Sequence, residues 1–171
     1  MRADVSSTVD RRTLTIAAGL LGVGLGGFVD GIVLHQILQW HHMLTATADH
    51  ASFPDTTVAS LEENTVWDGI FHASTWVFVV VGLYLFRRGT ATGARLSVPA
   101  LTGLLLAGWG LFNLVEGVIN HHLLGLHRVR DDVTDPLPWD LGFLALGALL
   151  LVGGVRLYRA TGPSSSTPPI S

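Results

Sequence analysis

Apolar residues run almost unbroken over residues 14–44, 66–86, 96–126 and 138–158, each run bounded by arginine, acidic or Pro/Ser-containing stretches. A helix needs roughly 20 apolar residues to cross a hydrocarbon layer about 30 Å thick, so the pattern predicts four membrane spans and an all-α, polytopic protein. The first and third runs are about ten residues too long for one crossing, so each should tilt or project beyond the bilayer. The excess holds the histidines.

Aligned without gaps, DGIVLHQILQWH from Asp30 and EGVINHHLLGLH from Glu116 match acid to acid, Gly31 to Gly117, His35 to His121, Leu38 to Leu124 and His41 to His127. The second and fourth runs also open alike, with WDGIF from Trp67 and WDLGF from Trp139. The pattern predicts a duplicated two-helix hairpin. Because spans one and three run the same way, the halves should form a parallel repeat about an axis along the membrane normal, closing an antiparallel four-transmembrane-helix bundle. Gly27 with Gly31, and Gly103 with Ala107, have the small-xxx-small spacing that lets helices approach closely in lipid. GVGLGG at residues 22–27 fits GxGxxG formally, but no strand precedes it and it lies inside an apolar helix, so it is not a nucleotide site.

Arginine placement sets the expected orientation. Arg2, Arg11, Arg12, Arg87, Arg88, Arg95, Arg156 and Arg159 fall on one side, against Arg128 and Arg130 on the other. The positive-inside rule puts both termini in the cytoplasm of a multi-pass inner (plasma) membrane protein. Residues 1–13 then form a cytoplasmic segment, 14–160 the membrane domain and the Pro/Ser-rich residues 161–171 a disordered tail. DRRTLT at residues 10–15 superficially resembles a twin-arginine signal, but no convincing small-residue cleavage site follows and three further spans do, so cleavage is not expected.

Composition removes several functions. The chain has 171 residues, 49% of them hydrophobic and 13% charged, with no lysine, and its arginines sit at span ends instead of forming the basic face a nucleic acid needs. With no cysteine there is no disulfide, thiolate metal site or covalently attached haem. Any metal must be held by nitrogen and oxygen.

Counted from the arginines, Asp30, Asp68, Glu116 and Asp140 lie 16 to 21 residues along their helices, about 24 to 32 Å at 1.5 Å per residue. All four share one layer near the expected outer boundary. Asp68 follows Thr65 in a capping-box pattern and Asp140 follows Pro136 and Pro138, so helix-start duty is the simpler reading of both. Trp40, Trp67 and Trp139 read as interfacial belt residues, and Gln36 and Gln39 as interhelical hydrogen-bonders. Asp30 and Glu116 lie well inside their helices, where a carboxylate needs a partner.

The chain carries eight histidines. Neutral imidazole with carboxylate suits copper(II), zinc or iron, so a transition-metal site is expected from Asp30, His35, His72, Glu116 and His121. On straight helices His41, His42, His122 and His127 would project further outward, as an outer entry or second site; His50 lies in a loop. The bland alternative is a metal-free His/carboxylate network that pins the bundle. Facing histidines such as His35 and His121, or His72 with either, would also suit haem b in an electron-transfer protein. The HxxxH and HxxHH spacing of membrane desaturases is not matched. The sequence points to no substrate, so binding is a better expectation than catalysis, and glycine-lined faces would permit a homo-oligomer.

GFVDGIVLHQILQWHHM, WDGIFH, FNLVEGVINHHLLGLH and WDLGFLALGALL together resemble a family of small prokaryotic membrane proteins known as a domain of unknown function, over nearly the whole chain. The resemblance implies a four-span protein without an established activity. It also implies neighbourhood with oxidase-assembly factors that handle copper, hence a respiratory-chain or metal-handling membrane partner.

Overall fold

The structure, a computed structural model, describes residues 2–45 and 58–161. His50 and residues 162–171 of the expected tail lie outside that range. The described residues form α1 (Arg2–Val29), a π-helical continuation π1 (Asp30–Ile37), α2 (Val58–Ala91), α3 (Val98–Glu116), its continuation π2 (Gly117–Leu123) and α4 (Leu137–Thr161). Four helical stretches are long and apolar enough to cross a membrane: Asp10–Ile37, Val58–Ala91, Val98–Leu123 and Leu137–Thr161.

Two of these helices start and stop on clear local signals. Ser97 caps α3 by accepting from the Ala100 amide at 3.3 Å, and Pro99 fills a first-turn position where no amide hydrogen is needed. Past the end of α2, Gly93 takes φ +87°, and its amide donates to the Thr90 carbonyl at 3.0 Å, which reverses the chain toward α3.

Parallel helices α1 and α3 make the central pair, with α2 packed on α1 and α4 on α3. Val77, Val80 and Leu83 of α2 and Leu141, Leu149 and Val152 of α4 face outward. In water such a surface would drive association, whereas in lipid it is simply solvated. The central crossing is tight at Gly22 and Gly108, where a Cβ on Gly22 would collide with Leu105 and Gly108 backbone, and one on Gly108 with Gly19 and Gly22. In lipid, backbone contact of this kind replaces hydrophobic drive as the source of helix association.

The straight-helix expectation fails at the far ends of α1 and α3. In both, i→i+5 hydrogen bonding replaces i→i+4 just where the carboxylate begins the motif, at Asp30 and Glu116. The helix then ends: the Leu38 amide donates to the Val33 carbonyl and the Leu124 amide to the Ile119 carbonyl, both at 2.8 Å. Next, Gln39 at φ +50° and Gly125 at φ +61° turn the chain back. Glycine meets the left-handed conformation without cost; glutamine adopts it against its steric preference. The helical spans therefore end at Ile37 and Leu123, not near residues 44 and 126.

Candidate metal centre

Those two turns fold His41 and His127 back over the ends of α1 and α3. Both rings are buried and stack on each other, with centroids 4.6 Å apart and planes 4° from parallel. The expected outer entry site is thus corrected for these two residues. His35 and His121 stand on either side, with ring centroids 4.4 Å from His41 and 4.9 Å from His127 respectively.

Each central ring is aimed by the other half of the chain. His41 Nδ1 donates to the Val129 carbonyl at 2.9 Å, and His127 Nδ1 donates to the Met43 carbonyl at 3.2 Å. A carbonyl only accepts, so each Nδ1 carries its proton, and the Nε2 atoms face the interior, that of His127 against Glu116 Oε1 at 2.9 Å. His41 Nε2 is buried without a hydrogen-bond partner. Burial, reinforced by the neighbouring His127 and His35 rings, holds the His41 imidazole well below the usual histidine range and so favours its neutral, ligand-competent form.

His35 and His121 are held by carboxylates on two sides. His35 Nδ1 donates to Asp68 Oδ1 at 2.9 Å, while its Nε2 lies 3.3 Å from Asp30 Oδ2. His121 places Nδ1 3.5 Å from Asp140 Oδ1 and Nε2 3.1 Å from Glu116 Oε1, and neither nitrogen is aligned for a hydrogen bond. Glu116 Oε1 also lies 2.9 Å from His127 Nε2. A nitrogen lone pair facing a carboxylate oxygen at this distance needs a cation between them, either a proton on the ring or a metal ion.

Asp68 and Asp140 act beyond helix starting. Because α2 begins at Val58, Asp68 lies deep within it, accepting from His35, from the Met43 amide at 2.9 Å and from His42 Nδ1 at 2.7 Å. Asp140 does sit in the first turn of α4, yet it accepts from the Val129 amide at 2.9 Å and pairs with Arg128 at 3.1 Å. Each carboxylate therefore fixes both an imidazole and the loop whose carbonyl aims the opposite ring. Such partners behind a ligand are what orient it and set its tautomer.

Within two overlapping triads, His35–His41–His127 and Glu116–His121–His127, one ligand atom per residue lies within 4.8 Å of the others. Atoms about 2.1 Å from one ion lie at most about 4.2 Å apart. The spacing is close to that of a loaded centre. Asp30 Oδ2, His35 Nε2, His41 Nε2, Glu116 Oε2 and both His121 nitrogens are buried without hydrogen-bond partners. Charge points the same way. Asp30, Asp68, Glu116 and Asp140 are buried together, and Arg128 is the one fixed cation that the described residues bring to them. A divalent ion would supply the missing positive charge.

Other sequence candidates fall outside the group. His72 Nδ1 donates to the carbonyl of Asp68 at 2.7 Å, and its ring lies against Gly31. His42 steadies Asp68. His122 is exposed, beside Arg128. Trp40 and Trp139 are more than belt residues, since the Arg130 guanidinium packs over both rings at 5.0 and 4.8 Å while pairing with Asp132. This clasp anchors the loop that carries Val129. Sequence reasoning also passed over Asn113, a polar residue inside the third apolar run whose buried Oδ1 has no hydrogen-bond partner.

Fold and cluster together define a four-span helical membrane protein with a buried histidine and carboxylate centre. The family described as predicted membrane protein (DUF2243) matches residues 17–161, and the chain belongs to it. Neither the curated proteins nor the solved structures contain a match.

Proposed function

We propose that the chain is a membrane metal-binding protein that holds a first-row transition ion, copper(II), zinc or iron, among Asp30, His35, His41, Glu116, His121 and His127. One observation carries this reading: buried polar atoms of Asp30, His35, His41, Glu116 and His121 converge without hydrogen-bond partners, while both central rings spend their Nδ1 protons on backbone carbonyls. The set of imidazoles and carboxylates suits these ions, and the absence of cysteine disfavours a soft copper(I) relay. Haem is the weaker reading. The stacked rings of His41 and His127 lie between His35 and His121, where a macrocycle would need an open slot.

The pairing of Asp30, His35 and His41 with Glu116, His121 and His127 supports a duplicated hairpin whose axis passes through the centre. Arginine asymmetry supports an outward-facing centre with both termini in the cytoplasm. The opposite halves of the spans offer little polar lining, which favours metal handling or assembly of a respiratory enzyme over ion conduction.

Elemental analysis and an absorption spectrum of the detergent-purified chain test the proposal. The expected result is copper, zinc or iron near stoichiometry, lost by at least about tenfold in the His35→Ala/His121→Ala double variant. His72→Ala and His122→Ala should retain it. Metal at background in the wild-type chain after growth and reconstitution with each ion would overturn the proposal, and a Soret band would replace it with haem.

A further inference from the structure

Because α4 packs chiefly on α3, a cleft of about 370 Å³ remains between α1 and α4. Exposed Val29 and Leu146 flank it, so its mouth opens sideways toward the lipid. Its walls are flat and apolar, set by Trp109, Trp139 and Phe143, with Gly142 on the α4 side. An added Cβ on Gly142 would meet nothing within 4 Å. Two polar groups interrupt this lining, Asp30 and Asn113, each at least nine-tenths buried; Asp30 Oδ2 faces His35 Nε2 at 3.3 Å, which leaves Asn113 Oδ1 as the acceptor with no partner at all.

Asn113 Oδ1 is an acceptor, so a fitting ligand must donate to it. The size suits a small ring with the start of a tail, and aromatic walls suit a planar ring. A sideways mouth within an apolar span admits molecules already dissolved in the membrane. We propose that this cleft binds an amphiphile of the hydroquinone class in its reduced form, a ring hydroxyl donating to Asn113 Oδ1, ring between the aromatic walls, tail directed to lipid. The oxidised quinone offers a carbonyl oxygen where Asn113 Oδ1 requires an O–H group. Buried acceptors left unpaired discriminate strongly against such a ligand.

A matching cleft of about 440 Å³ on the other side of the centre has Phe71 and Glu116 where this one has Phe143 and Asp30. Among the described residues, that second cleft has no counterpart of Asn113 with an unpartnered oxygen in its lining, so the donor requirement belongs to the first. The inference goes beyond the metal reading and shares only Asp30 with it.

The test is equilibrium dialysis of the full chain in nanodiscs against trimethylhydroquinone kept reduced, then against trimethylquinone, with empty nanodiscs as control. Metal content is measured on the same samples. Saturable binding of the reduced form is expected, with the oxidised form about tenfold or more weaker. Gly142→Leu fills open space and should abolish binding while leaving metal content unchanged, and Asn113→Leu should weaken binding. No saturable binding, equal binding of both redox forms, or full binding by Gly142→Leu would each overturn the proposal. Metal content separates that outcome from failure of the metal centre itself.

Discussion

Alanine at both His41 and His127 is expected to reduce bound metal from about one equivalent to background, more completely than any other pair of substitutions in the chain. These rings stack at the middle of the cluster, and their Nε2 atoms are the ones whose tautomer is set by a bond to a carbonyl. His127 also belongs to both candidate triads. The substitutions lie beyond the helical spans, so circular dichroism should stay close to wild type while elemental analysis changes. Asp68→Asn is the graded companion. It keeps an acceptor beside His35 but removes the charge that His35 and His42 share, and should weaken metal affinity by about 10- to 100-fold. Unchanged metal in the double variant would show that the rings are structural.

The largest effect on the fold is expected from Gly22→Leu. Any side chain there must enter the backbone of α3 at Leu105 and Gly108, and helix backbone cannot yield as a flexible side chain does. The central pair separates, and the two hairpins lose the contact that brings His41 to Val129. Size-exclusion chromatography in mild detergent should show loss of the monodisperse species, with metal content falling alongside. Gly19→Leu, one turn away on the same helix, is the control, because an added Cβ there meets nothing within 4 Å. A monodisperse Gly22→Leu protein would mean that the α1–α3 crossing is not what holds the halves together.

Much of the fold was legible in the sequence, because spanning a membrane leaves few choices: long apolar runs, arginines at their ends and glycines at their crossings. The candidate centre was legible only in part. Its carboxylates and two of its histidines stood out as polar groups inside apolar runs, but treating the helices as straight sent His41 and His127 outward. Asp30 to His35 and Glu116 to His121 are both spaced by five, which places them on different faces of an α-helix yet about one turn apart in an i→i+5 helix. That repeated spacing was the available signal for π1 and π2. The turn at Gln39 had no comparable signal, since glutamine does not announce a positive φ, although Gly125 at the equivalent place did. His72 differs for a simpler reason: it shares a helical face with Asp68, but its Nε2 lies against Gly31, outside both triads.

The crossed hydrogen bonds of His41 and His127 have a consequence for biogenesis. The first hairpin leaves the ribosome before the loop that carries Val129, so until α3 and α4 have inserted, His41 lacks the acceptor that fixes its tautomer and angle. A half-made chain therefore lacks the bond that orients the His41 ring in the finished one. Order follows from connectivity alone: the second hairpin must be in place before the two central rings take their final orientation, and under the proposed function an ion would find its site only then.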